Sequence, residues 1–170
     1  MRKSGHIRVD RGSHTVTGAL HHAAEALQQG SVVTLYPEGR ISLDPGLWPE
    51  RAKTGAARLA LATGAPVIPV AQWGAHEVMA YDRPTHMAAT LISSIWRRPV
   101  AKVHFGDPVD LSDLPRNSPG AARTAADRMS GHILEQVSRL RTAEPVMPRH
   151  VDRVRPLSTM RTFRPRDTHR

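Results

Sequence analysis

Residues 31–42 read SVVTLYPEGRIS, and this stretch changes character halfway along. Its first half, residues 31–36, is β-branched and apolar, a composition typical of a buried strand. Pro37, Glu38 and Gly39 follow at once and predict a turn at the carboxyl end of that strand. Because ligands of open α/β sheets bind beyond such strand ends, the turn is the first candidate site.

Helices are predicted on both sides of this stretch. Residues 17–29 carry apolar side chains at helical spacing and end before Gly30, a typical C-terminal cap. Thr54–Thr63 repeats the pattern, with Thr54 as the expected N-cap and Gly64 as the stop. Ser118 and Pro119 are expected to open a long helix with one apolar face; that face carries Met129, Ile133, Val137 and Leu140.

Strands are predicted at residues 5–9, 31–36, 67–71 and 100–105. Pro69 lies inside the third and, because it lacks a backbone donor, indicates a sheet edge or a bulge. The order β-α-β-α-β, then β, then α predicts an α/β fold with a mostly parallel sheet flanked by helices.

The length of 170 residues favours one domain. We assign it to residues 1–144. Residues 145–170 hold seven Arg and two Asp with little apolar periodicity, and this composition predicts a disordered basic tail.

The net charge of +9 attracts polyanions, whether nucleic acid, an anionic lipid surface or a phosphorylated substrate. The absence of Cys excludes disulfides, thiolate metal sites and a Cys nucleophile. No apolar run approaches the roughly 18 residues of a membrane-spanning helix, so we expect a chain that is soluble or lies on a membrane surface.

The turn could bind a phosphate. Gly39 allows the backbone close to a ligand, and Arg40 offers the guanidinium fork that chelates phosphate. A solvated turn carrying an ordinary charge pair explains the same residues, and the residues alone favour that interpretation while leaving the phosphate site open.

Four segments resemble, in order and spacing, the conserved blocks of the PlsC-type 1-acyl-sn-glycerol-3-phosphate acyltransferase family. Residues 5–11 (GHIRVDR) resemble the second block and residues 36–42 (YPEGRIS) the third. Residues 53–57 (KTGAA) resemble the Lys-x-Gly segment that follows, and residues 65–70 (APVIPV) the fourth. The resemblance covers roughly residues 1–112 and implies the glycerol-3-phosphate acyltransferase-like fold, incomplete at its N-terminus.

In that family the second-block Arg and the third-block Glu and Gly help to bind the glycerol 3-phosphate part of the acceptor. The resemblance carries this role to Arg11, Glu38 and Gly39. Arg40 stands where Thr is usual and Ile41 where Arg is usual, so the phosphate contact of Arg40 would follow a different path. Lys53 is a further candidate, because it opens a helix whose N-terminal amides favour an anion.

The family's catalytic block, Asn-His-x-x-x-x-Asp, has no match in this chain. His6 and Asp10 are one residue too close, and His76 and Asp82 one too far apart. We therefore assign no catalytic residue. A truncated start, a degenerate paralogue or a base supplied by another polypeptide would each explain this, and we favour the first because the sequence begins at the second block. His21 and His22 are interpreted as a solvated helix face.

The resemblance implies an acyltransferase of phospholipid biosynthesis that converts lysophosphatidic acid, or a related glycerophospholipid, to phosphatidic acid. The acyl donor would be acyl-CoA or acyl carrier protein. We expect no cofactor, no metal and a cytoplasmic protein that lies peripherally on the anionic inner face of the cell membrane. Trp96 followed by two Arg is typical of an interfacial anchor, although a packed loop is equally consistent.

Two alternatives belong to other classes. One is a non-catalytic lipid- or phosphate-binding remnant of the same family. The other is a basic nucleic-acid-binding protein, which ranks last because such surfaces interleave basic residues with stacking aromatics. The chain has only seven aromatic residues, and Phe163 is the one in the Arg-rich tail.

Overall fold

The computed structural model describes residues 7, 16–79, 84–116, 118, 120–149 and 156–163. The strand predicted at residues 5–9 lies outside the described residues except for Ile7. Arg11 and His6 also lie outside them.

The structure has five helices and two strands within the described residues. The helices are α1 (Val16–Gln28), α2 (Thr54–Thr63), α3 (Ala75–Val78), α4 (Pro84–Arg97) and α5 (Ala121–Leu140), and the strands are β1 (Val70–Trp73) and β2 (Lys102–Phe105). The predicted helices at 17–29 and 54–63 are confirmed. Gly64 ends α2 in the left-handed conformation, as its role as a cap requires. The N-cap prediction is wrong by one residue, because Lys53 occupies that position and makes no side-chain cap bond.

The fold is a mixture of helices and a small sheet, compatible with an α/β acyltransferase-like fold. The mostly parallel sheet is not found in the described part of the chain: β1 and β2 pair antiparallel, with Val70 opposite Phe105 and Trp73 opposite Lys102. Pro69 lies just before β1. Its carbonyl accepts from Gly106 N (2.9 Å), but proline has no N–H to return the bond, and the ladder ends there.

The prediction of a buried strand at residues 31–36 is wrong. This segment forms no strand in the described structure, and most of its side chains are exposed: Val32 is 92% exposed and Tyr36 81%. β-Branched residues favour extended backbone, but a buried strand also needs neighbours that cover its side chains and pair its backbone.

Two apolar clusters form the core. In the first, α2 and α5 meet through small side chains that allow close approach, including Ala57, Ala60, Ala125 and Ala126. The second joins the sheet to α5 through Trp48, Ala71, Trp73 and Val137. The apolar face predicted for α5 is confirmed, since Met129 and Val137 are buried and Ile133 and Leu140 pack partly buried.

The described part of the basic segment contacts the loop between α1 and α2. Ser158 N donates to the Leu43 carbonyl and Phe163 N to that of Pro49 (2.9 and 2.8 Å). The Thr162 hydroxyl donates to buried Asp44 (2.7 Å). Residues 156–163 therefore lie along the loop and make specific contacts with it. The predicted boundary between a domain ending at residue 144 and a separate tail stays a prediction.

No helix in the described ranges has the length and apolar character needed to cross a bilayer.

Candidate functional site

The Pro-Glu-Gly turn is fixed by backbone hydrogen bonds on both sides. Gly39 N donates to the Tyr36 carbonyl (3.0 Å), and Gly39 has a φ of +73°, which its missing Cβ permits. Lys53 N donates to the Pro37 carbonyl (2.9 Å). The turn therefore lies against the start of α2.

The segment before α2 is in turn attached to α5. Ala52 N donates to the Ser130 hydroxyl (3.1 Å), which itself donates to the Ala126 carbonyl one turn back (2.8 Å). Ala52 and Ser130 are both buried. A buried core contact thus positions the residue next to Lys53, and through it the turn.

Glu38 points its carboxylate across the loop. Its Oε2 accepts a hydrogen bond of 2.6 Å from the Glu50 backbone N–H. Burial raises the pKa of Glu38 above its usual value, and the nearby charge of Glu50 raises it further, while the Glu50 N–H and Arg161 act in the opposite direction. The net effect is a carboxyl group that takes up a proton more readily than an exposed glutamate.

Glu50 is the buried anchor of the site, with only 2% of its surface exposed. Arg40 Nε lies 3.0 and 2.8 Å from its two oxygens, and Leu43 N donates to Oε1 (3.2 Å). Burial alone would raise the pKa of Glu50, but these hydrogen bonds and the charges of Arg40 and Arg161 outweigh it and lower the pKa. Glu50 is therefore ionised and holds Arg40 in place.

Arg161 reaches the same carboxylate from the basic segment. Its Nε lies 3.5 Å from Glu50 Oε2, and its Nη2 lies 3.4 Å from the Glu38 carbonyl. Its own carbonyl accepts from Arg51 N (2.7 Å). Arg161 is more than a hundred positions away along the chain and thus adds a third cation next to the turn.

Lys53 is exposed and lies over the turn. Its Nζ is 3.2 Å from the point that a Cβ on Gly39 would occupy. The site then holds three cations (Arg40, Lys53, Arg161) and two carboxylates (Glu38, Glu50). With both carboxylates ionised it keeps a positive excess, which favours an anionic ligand.

The structure brings together four of the five predicted binding residues: Glu38, Gly39, Arg40 and Lys53. The fifth, Arg11, lies outside the described residues. Sequence reasoning missed Glu50 and Arg161. Nothing in the sequence pattern of the Arg-rich segment distinguishes Arg161 from the other arginines there. Glu50 could have been suggested only weakly, as an acidic residue at the end of a loop that also contains Arg40.

The remaining histidine and carboxylate groups of interest lie away from the turn. His21 and Glu25 pair at 3.3 Å on the exposed side of α1, as expected for a solvated helix face. His76, Glu77 and Glu144 bring their ligand atoms within 4.8 Å of one another. Glu144 already accepts hydrogen bonds from Trp73 Nε1 and Arg149, and the adjacent Arg charge opposes a cation there.

Comparison with known proteins gives one family. The acyltransferase family model matches residues 1–73, a stretch that contains the turn, Glu50 and Lys53 and ends with β1. This match covers less than half of the chain and supports similarity to the acyltransferase family, whose name denotes transfer of acyl groups. No curated protein and no solved structure gives a significant match.

Proposed function

Proceeding from the match to the acyltransferase family, we propose that the turn at Glu38 binds the glycerol phosphate headgroup of lysophosphatidic acid. This lipid would be the acceptor in an acyl transfer that gives phosphatidic acid, with acyl-CoA or acyl carrier protein as donor. The observation that carries the proposal is the grouping of Arg40, Lys53 and Arg161 around a carboxylate-bearing glycine turn.

The phosphate half of the headgroup suits the cations. Arg40 bonds to Glu50 through Nε, so its two terminal nitrogens are the pair that can chelate a phosphate. Its side chain is 36% exposed, so a ligand can reach it. Lys53 adds an exposed ammonium next to Gly39.

The glycerol half suits Glu38. Its Oε2 is engaged by the Glu50 N–H, which leaves Oε1 to accept a hydrogen bond from an acceptor hydroxyl. A ligand with a hydroxyl two carbons from a phosphate ester would meet both halves of the site at once. This combination of groups favours a glycerol phosphate over a bare anion.

The reaction itself needs a base that this chain does not carry in the Asn-His-x-x-x-x-Asp form. In the transfer, the acceptor hydroxyl oxygen would bond to the thioester carbonyl carbon and its proton would go to the base. The C–S bond would then break, and the thiolate would leave and take up that proton from the base. Losing a general base costs roughly 10²–10⁴-fold in rate. The residues of this chain would thus bind and orient the acceptor.

We expect the 170-residue chain to show no turnover above the protein-free background. The assay is radiolabelled acyl transfer from acyl-CoA, and separately from acyl carrier protein, to lysophosphatidic acid. Robust formation of phosphatidic acid would contradict this expectation. If that activity were also insensitive to Glu38→Gln, the proposed acceptor site would be contradicted as well.

Acceptor recognition is the second prediction and does not depend on turnover. We expect lysophosphatidic acid, presented below its micellar concentration, to bind at least about tenfold more tightly than lysophosphatidylcholine. The choline ester places a cation beside Lys53 and removes the free phosphomonoester. The measurement is isothermal titration, and equal affinity for the two lipids would refute headgroup recognition.

The two alternatives remain distinguishable. A non-catalytic lipid- or phosphate-binding remnant is favoured by the missing His-Asp block. It predicts the same binding and no turnover even when a second polypeptide carrying the His-Asp base is added, whereas the acyltransferase proposal predicts turnover in that case. Nucleic-acid binding has only the net charge in its support. We further propose that the protein works peripherally at the inner face of the cell membrane, because its acceptor and product are lipids.

A further inference from the structure

The apolar face of helix α4 is exposed to solvent instead of being packed against the core. Leu91, Ile92, Ile95 and Trp96 are 50%, 61%, 69% and 86% exposed, respectively. On a 3.6-residue helix these four positions fall within one arc, so they form a continuous apolar face that points to solvent. A surface helix of a globular protein ordinarily turns that face toward the core.

The opposite face of α4 is polar and more buried. Thr90, Ser93 and Ser94 are half-buried. Their hydroxyls bond to carbonyls of their own helix: Ser93 Oγ to Thr90 O (2.9 Å) and Ser94 Oγ to Leu91 O (2.6 Å). The hydroxyls of Ser93 and Ser94 are thereby satisfied within α4 itself, and among the described residues the apolar arc is left without cover.

The carboxyl end of α4 fixes this orientation and adds charge. Arg97 Nη2 donates to the Glu77 carbonyl (2.9 Å), which ties the end of the helix to α3. Arg98 follows in the left-handed conformation (φ +46°) and ends the helix. Residues 84–97 include no Asp or Glu, so the helix itself carries no negative side chain, and Arg97 and Arg98 add positive charge at its carboxyl end.

We propose that α4 is a membrane-docking surface: it lies along an anionic phospholipid bilayer with Leu91, Ile92, Ile95 and Trp96 in the headgroup region. Charge decides the occupant, because Arg97, Arg98 and the net charge of +9 complement anionic lipid. An apolar face with a tryptophan, flanked by basic residues, is the pattern of an interfacial helix. With 14 residues, α4 is too short to cross the bilayer.

This inference does not depend on the proposed acceptor site. Helix α4 lies beyond residues 1–73, the stretch that the family model matches. Failure of headgroup binding at Glu38 would leave the docking surface standing, and failure of docking would leave the acceptor site standing.

The tryptophans provide a direct readout. Trp48 and Trp73 are buried (8% and 6% exposed), so Trp96 alone of the three reports on the outer surface. We expect vesicles of phosphatidylglycerol and phosphatidylcholine to shift the emission to shorter wavelength. Brominated acyl chains should quench it. Trp96→Phe should remove the shift while co-sedimentation persists.

Two variants with matched controls test the surface itself. Ile95→Glu should weaken vesicle binding by about tenfold or more, because it places a charge in the apolar face; Val32→Glu puts the same charge at a 92% exposed site elsewhere and should bind like wild type. Removing Arg97 and Arg98 together as alanines should weaken binding about 25-fold, since each arginine near an anionic surface contributes about fivefold. Arg58→Ala with Arg116→Ala removes the same charge elsewhere and should have a smaller effect.

The outcomes separate lipid from other occupants. Binding to anionic vesicles that weakens with salt, with Trp96 quenched, supports the proposal. A blue shift that grows with protein concentration in the absence of lipid would assign the face to a second copy of this chain and overturn the proposal. So would co-sedimentation with unquenched Trp96, or Ile95→Glu binding as tightly as Val32→Glu.

Discussion

Replacing Arg141 with methionine is expected to lower the free energy of unfolding by about 3 kcal/mol or more. Arg141 is 1% exposed and lies between two indole rings, 3.9 Å from the Trp48 ring centre and 4.3 Å from that of Trp73. Its guanidinium donates to the carbonyls of Gly46 (2.6 Å) and Glu144 (2.9 Å). Methionine fills similar length but leaves those carbonyls without donors and ends the cation–π contacts.

Burial lowers the pKa of Arg141, although the charges of Glu144 and Asp44 support its cationic form. The measurement is urea unfolding followed by tryptophan fluorescence. Arg139→Met is the matched control, because Arg139 is exposed and pairs only with Glu135 one turn away, where such pairs contribute about 0.3–0.5 kcal/mol. Equal stability of the two variants would refute the structural role of Arg141.

Glu50→Gln is expected to destabilise the chain by about 2–3 kcal/mol. Oε1 of Glu50 accepts from Arg40 and Leu43, and Oε2 lies beside Arg40 and Arg161. In either orientation of the glutamine amide, its NH₂ group would face a hydrogen-bond donor, with which it cannot form a hydrogen bond. The expected loss is below that of a fully buried pair because both arginines are about one-third exposed.

The effect of Glu50→Gln should depend on pH in a fixed direction. The pKa of Glu50 in the folded chain lies below its usual 4.5, so its stabilisation is present above that pH and is lost as the pH falls through the lower folded value. The difference in unfolding free energy between wild type and variant should narrow in acid. Glu135→Gln, an exposed pair member, should show little difference at any pH; a widening gap in acid would contradict the assignment of Glu50 as an ionised anchor.

Local patterns predicted α1, α2 and α5 because a helix is closed by bonds within one segment, whereas α3 and α4 were not predicted. The repeats in Thr54–Thr63 and Ala121–Leu140 specify which face is buried. Residues 31–36 have an equally clear strand composition, yet strand formation depends on partners that a single segment cannot specify. The pairing of β1 with β2 is likewise set by the register of Val70 against Phe105, more than thirty residues apart.

The residues of the candidate site show the same difference between local and long-range contacts. Glu38, Gly39 and Arg40 are adjacent in sequence, and Lys53 follows after a single loop, so motif and spacing pointed to them. Arg161 arrives from a segment whose composition predicted disorder. Its contact with Glu50 depends on the course of residues 156–163 along the loop. Composition describes a segment's average tendency and carries no information on one such long-range contact.

The most direct test of the acceptor site is a titration of the ¹⁵N-labelled chain with glycerol 3-phosphate, with glycerol and inorganic phosphate as separate arms. We predict saturable shifts of the Gly39, Arg40 and Lys53 amides that are strongest with glycerol 3-phosphate and absent with glycerol. Lys53→Gln, an exposed change, should weaken binding several-fold, whereas Arg58→Gln should not. Shifts that are no greater than with inorganic phosphate, that map elsewhere, or that survive Lys53→Gln and Arg40→Gln unchanged would contradict a glycerol phosphate site at this turn.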